Sequence, residues 1–71
     1  MKDTGTISNA EVRERMKDYT MSCRIPYYQI GIDSGLTERR SIYLVSRFLR
    51  GQNMNADTLN MFDNYLSERG Y

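Results

Sequence analysis

The chain has 71 residues, one cysteine, no histidine and a net charge of +1. That length holds one domain at most and buries only about 60% of the surface its unfolded form exposes. A single cysteine excludes an intramolecular disulfide, and the lack of histidine excludes a zinc site of the usual nitrogen and sulfur type in a monomer.

Hydrophobic residues make up 39% and charged residues 27%, the balance of an ordinary soluble globular domain. No apolar run approaches the length that spans a bilayer, and "MKDTGTISN" lacks the apolar stretch of a signal peptide. A cytoplasmic location is therefore expected. The charge is unevenly spread. Residues 24–50 carry five arginines against Asp33 and Glu38, whereas residues 51–71 carry Arg69 against Asp57, Asp63 and Glu68. Positive charge is thus concentrated in the middle of the chain.

Residues 1–8 read as a flexible polar arm and residues 9–71 as a single domain of helices. A first helix is predicted from Asn9 to Cys23, capped by Ser8 or Asn9, with Glu11 placed for a capping box. Val12, Met16, Tyr19 and Cys23 form its apolar stripe, so Cys23 is expected to be buried. Glu11 and Arg15 form an attractive i,i+4 pair, while Glu14 and Asp18 repel.

A second helix is predicted to start near Pro26 and to end at Gly35, with Tyr27, Ile30, Gly31 and Ser34 on one face. Gly31 costs up to about 1 kcal/mol in mid-helix relative to alanine, which predicts close approach of another helix there.

A third helix lies in "SGLTERRSIYLVSRFLRGQN". Nothing breaks a helix from Glu38 to Arg50, and Gly51 ends it. Two starts are compatible with the sequence: Thr37 as N-cap, or Ser41 as N-cap after an enlarged "LTERR" turn. The long helix puts Ile42, Val45, Phe48 and Leu49 on the core side, with Leu44 at the margin. It also aligns Arg39, Tyr43, Arg47 and Arg50 on the opposite face, with Arg40 beside them.

A fourth helix follows "GQNMNAD", with Asn55 as N-cap, Asp57 favouring the helix dipole, and Leu59, Phe62, Tyr65 and Leu66 facing the core. The methionines read as core filler. No nucleophile, base or carboxylate cluster forms a catalytic constellation, so the chain is expected to be no enzyme and to use no cofactor and no metal.

Two short helices joined by a glycine-containing turn make a helix-turn-helix. The segment from Pro26 to Leu66 resembles the lambda repressor/Cro-like family of phage and bacterial regulators. The likeness rests on "IGIDSGLT", with Gly31 at a position usually held by alanine, Gly35 as the turn glycine and Leu36 as the apolar plug. It continues through "VSRFLRGQNMNADTLNMFDNYL". Between Gly35 and Val45 this chain has about one helical turn more than the family pattern.

The resemblance implies an all-α, compact bundle of four to five short helices containing a helix-turn-helix, lambda repressor-like, acting as a sequence-specific transcriptional regulator near the nucleoid. It implies double-stranded DNA as partner and a homodimer on palindromic sites. Glu38, Arg39, Arg40 and Tyr43 then face bases. Tyr27, Tyr28, Gln29, Arg47, Gln52 and Asn53 then contact the DNA backbone. The tail around Tyr65, Leu66 and Tyr71 is the expected dimer surface. The alternative is a protein-interaction module, such as an antirepressor, on the same scaffold without DNA binding.

Overall fold

The computed structural model describes residues 8–71. These form α1 (Asn9–Cys23), α2 (Gln29–Asp33), α3 (Glu38–Leu49) and α4 (Ala56–Glu68), with no strand among the described residues. The predicted arm lies outside the described residues except for Ser8. None of the described helices is long and apolar enough to cross a membrane.

The long helices begin where the sequence predicts. Ser8 Oγ accepts the Glu11 N–H, Thr37 Oγ accepts the Arg40 N–H and Asn55 Oδ1 accepts the Thr58 N–H. Each bond satisfies a backbone donor that has no partner within its helix. Gly35, Gly51 and Gly70 have positive φ. At Gly35 this conformation lets the Leu36 N–H bond the Gly31 carbonyl at 2.9 Å while the Gly35 N–H bonds Ile32 at 3.0 Å. That paired closure stops α2 sharply and turns the chain into α3. α1 ends less comfortably, with Arg24 left-handed at φ 54°, a conformation that costs a non-glycine residue about 1–2 kcal/mol.

α1 packs on α4 and α2 on α3, and smaller contacts join α1 to α3 and α2 to α4. The core holds Val12, Met16 and Tyr19 of α1, Ile30 of α2, Val45 and Phe48 of α3, and Leu59, Phe62, Tyr65 and Leu66 of α4. Ile25, Leu49, Met54 and Met61 pack around it. Met21 is 76% exposed, so the methionines are not uniformly core filler.

Several side chains depart from the pattern read along the sequence. Cys23 is exposed, and Tyr19 is the last buried residue of α1. Arg15 does not pair with Glu11. It binds Asp63 Oδ1 at 2.5 Å, Ser67 Oγ at 3.0 Å and the Tyr71 carbonyl at 2.7 Å. A half-sheltered site with several acceptors wins over an exposed pair on one helix. Tyr65 and Leu66 lie in the core, and Tyr71 packs edge-on against Tyr19 at 5.1 Å. Tyr65 and Leu66 are therefore unavailable as a dimer face.

A polar chain ties the short α2 to α4. Tyr65 donates to Asp33 Oδ2 at 2.7 Å, and Gln29 donates to Asp33 Oδ1 at 2.9 Å. These bonds, the one from Tyr65 first, hold the Asp33 carboxyl below its ordinary value of 3.8. Burial, with hydrogen bonds to Tyr19 and Asp33, pushes the Tyr65 hydroxyl well above its ordinary 10.

The lowered Asp33 value has a definite sign. The unfolded chain binds more protons than the folded one as Asp33 titrates, so folding gains stability with rising pH. This contribution is present above the unfolded value near 4 and is lost as pH falls through the lower folded value. Asp33 is exposed, so screening keeps the effect small. Asp33→Asn is expected to flatten stability between about pH 5 and 2 and to cost about 1 kcal/mol at pH 7. Urea midpoints of both proteins across that range test it, and identical pH slopes would contradict it.

Candidate nucleic-acid interface

The start of α3 decides which residues lie on its outer surface. Thr37 caps the helix and Ser41 is fully buried one turn inside it. The long helix is the one that forms. Ser41 Oγ donates to the Tyr28 carbonyl, and its side chain faces Gly31 of α2. A Cβ added at Gly31 would lie 2.7 Å from Ser41 Cβ and 3.2 Å from Leu36 Cδ1. The predicted helix approach at Gly31 is thus present, and Ser41 makes it.

This contact takes the inward place on the first turns of α3 and leaves one predicted core residue outside. Ile42 is 37% exposed, not part of the core. Ser41 takes the inward position because a hydroxymethyl fits against glycine where a larger side chain would collide. Val45 and Phe48 are buried, Leu44 and Leu49 partly buried, as the helical spacing predicts.

On the outer side Glu38, Arg39, Arg40, Tyr43, Arg47 and Arg50 are all exposed. The Arg47 guanidinium lies over the Tyr43 ring at 5.0 Å, a cation–π contact that ties two successive turns together. Among the described residues, none of these arginines has an ion-pair partner.

Of the other four arginines, three serve the fold, while Arg24 at the end of α1 is exposed. Arg15 is paired with Asp63, and Arg69 lies 3.6 Å over the Tyr65 ring. Arg13 donates to the Phe48 carbonyl at 2.6 Å, the Gln52 carbonyl at 3.2 Å and Asn53 Oδ1 at 3.3 Å. Its guanidinium also sits 4.8 Å from the Phe48 ring centre. Positive charge at the C-terminal end of α3 complements its dipole. Arg13 thereby holds the loop that carries Gln52 and Asn53, and Asn9 supports the same loop by accepting the Met54 N–H at 2.9 Å. No sequence rule singles out Arg13, because its partners lie 35 to 40 residues away.

The other predicted residues are less alike than the sequence suggests. The predicted helix start at Pro26 is a turn, closed by the Gln29 N–H on the Pro26 carbonyl at 3.0 Å. Proline's fixed φ suits a turn as well as a helix. Tyr27 is 37% exposed, although helical spacing groups it on one face with Ile30, which is buried. Tyr27 and Tyr28 meet edge to face at 5.4 Å. Tyr27 borders the C-terminal half of α3, where it lines a shallow recess with Ser46, Leu49 and Arg50. Gln29 spends one amide N–H on Asp33. Gln52 and Asn53 are exposed.

No protein-family model, curated protein or solved structure matches this chain. The α3 face has to be interpreted from its own chemistry. It is a cationic strip with an aromatic ring at its centre, on a helix whose other side is fixed in the core. It offers guanidinium donors in forks that match phosphate oxygens or the acceptor edge of guanine. A polar oxygen-rich polyanion suits it better than an apolar ligand.

Proposed function

We propose that the protein is a sequence-specific DNA-binding regulator of bacterial or phage type, with α2 and α3 as a lambda repressor/Cro-like helix-turn-helix and α3 in the major groove. The observation that carries this reading is the contrast among the arginines. Arg13, Arg15 and Arg69 are occupied by structural partners, and Arg24 stands apart, exposed at the end of α1. Arg39, Arg40, Arg47 and Arg50 share one exposed strip without an ion-pair partner among the described residues. A merely solvated face would more often alternate its charges along the helix.

Glu38, Arg39, Arg40 and Tyr43, in the first turns of α3, face base edges. Arg47, Gln52, Asn53, Tyr27, Tyr28 and Gln29 meet the DNA backbone and fix register. Binding to an operator excludes other proteins from the same DNA, which is the simplest route to repression. One module covers a half-site, so two copies on a palindrome are expected. The place of action is the nucleoid, in the cytoplasm.

Each phosphate neutralised contributes a slope of about −0.9 in log affinity against log salt. A salt titration on random duplex DNA is expected to give a slope of about −2 to −4 per module. On a selected site, Arg39→Ala and Arg40→Ala are each expected to weaken binding about tenfold, near the low end for a lost bidentate base contact. No binding at low salt, with both variants still active in the cell, would sink the DNA reading. The exposed Ile42 and Tyr43 favour the second reading, a protein-interaction module that docks a partner on this face. Those two results together would support it.

A further inference from the structure

The N-terminal half of α3 has a feature that its charges do not explain. A depression of about 320 Å³ opens on the outer surface between Thr37, Arg39, Arg40 and Tyr43, and its walls are mostly carbon. For these residues carbon means the Tyr43 ring, the Thr37 methyl and the arginine stems. The Thr37 hydroxyl is engaged with the Arg40 N–H at 3.2 Å. Tyr43 is 57% exposed and its ring is steadied by Arg47 at 5.0 Å. A mostly carbon-lined hollow therefore lies between two arginines.

Glu38 stands in the same turn, exposed. A carboxylate at this end repels phosphates, so this part of α3 is better suited to base edges than to the DNA backbone. In the major groove the one apolar group on a base edge is the 5-methyl of thymine, and guanine O6 and N7 are the acceptors an arginine fork fits. The carbon floor of the hollow suits an apolar group, while the arginines beside it are free to bond acceptors at its edge.

We propose that this depression receives the 5-methyl group of a thymine whose neighbour is a guanine held by a flanking arginine. The inference rests on the reading of α3 as a DNA-facing helix. It makes Tyr43 a specificity-determining residue that reads shape, while Arg39 and Arg40 read hydrogen bonds.

The test starts from duplexes selected from a random library by the full chain. The enriched site is resynthesised with deoxyuridine at each thymine in turn, which removes the methyl and keeps O4 and base pairing. One thymine beside a guanine is expected to lose about fourfold in affinity on this change, the worth of one buried methyl group. Tyr43→Phe is expected to keep that sensitivity and Tyr43→Ser to abolish it. Because Tyr43 is exposed, the thermal midpoints of both variants are expected to match the parent. A selected site indifferent to deoxyuridine at every thymine would overturn the methyl pocket and leave DNA binding standing. A methyl effect that survives unchanged in Tyr43→Ser would do the same. If no sequence is enriched, the DNA reading and the pocket fall together.

Discussion

Phe48→Ala is expected to cost about 3–5 kcal/mol of folding stability, the usual range for a buried phenylalanine. Phe48 is completely buried, its ring 5.4 Å from that of Phe62. The loss has three parts. Transfer of the ring out of the core is one, and the cavity left between α3 and α4 is the second. The third is the cation–π partner of Arg13, whose guanidinium would lose its ring while still bound to the Phe48 carbonyl. A domain of this length has a total stability of about 4–10 kcal/mol. The variant is therefore expected to lose about half of that stability or more and to unfold at a much lower urea concentration than the parent. Urea denaturation followed by circular dichroism measures it, with Tyr43→Ala as the exposed control, expected to lie within about 0.5 kcal/mol of the parent. A Phe48→Ala midpoint close to the parent's would mean that α3 does not bury this face.

Gly31→Val is expected to be nearly as damaging, at about 3 kcal/mol or more. The first added carbon already meets Ser41 Cβ at 2.7 Å, closer than two carbon atoms pack, and Leu36 Cδ1 at 3.2 Å. Moving α2 away from α3 would also stretch the bond from the Ser41 hydroxyl to the Tyr28 carbonyl across the same contact. Overpacking of this kind commonly costs about 1–3 kcal/mol for a single added group, and the branched side chain adds two more carbons. Gly31→Ala isolates the first carbon. Its steric cost is offset by up to about 1 kcal/mol of helix propensity, so a net loss of about 1–2 kcal/mol is expected. Adding Ser41→Gly to Gly31→Ala is expected to recover part of it by reopening the space. Thermal melts of the single and double variants give the answer. A Gly31→Ala protein as stable as the parent would show that the two helices are not in this contact.

The same contact links stability to the proposed interface. It holds Ser41 inward against Gly31, on the side of α3 away from Arg39, Arg40 and Tyr43. Ile42 illustrates the consequence. Helical spacing alone groups it with Val45 and Leu49, a reasonable inference from its hydrophobicity. The interhelix contact gives the inward position to a serine because the opposing residue is glycine. A pattern within one helix cannot carry that information, since it depends on what stands across the gap.

Local signals were the readable ones. Ser8, Thr37 and Asn55 cap their helices through hydrogen bonds that span three residues. Gly35 ends α2 by a turn that reaches back five residues or fewer. The periodic apolar residues Val12, Met16, Leu59, Phe62 and Leu66 mark the core sides of α1 and α4. The exposed strip Arg39, Arg40, Tyr43 and Arg47 was legible for the same reason, because residues three and four apart share a helix face.

What the chain determined by itself was therefore the helices from their caps, the all-α class from its periodicity, and a cationic face on α3 from its spacing. Tertiary structure alone decided three further matters. It placed Arg15 on Asp63 instead of Glu11, it set Arg13 to hold the Gln52–Asn53 loop, and it left Cys23 outside the core. For the two arginines the deciding partners lie far along the chain, and for Cys23 no other described element buries it. The physical reason is range: caps and periodicity act within a turn or two, whereas burial and side-chain pairing depend on which elements the fold brings together.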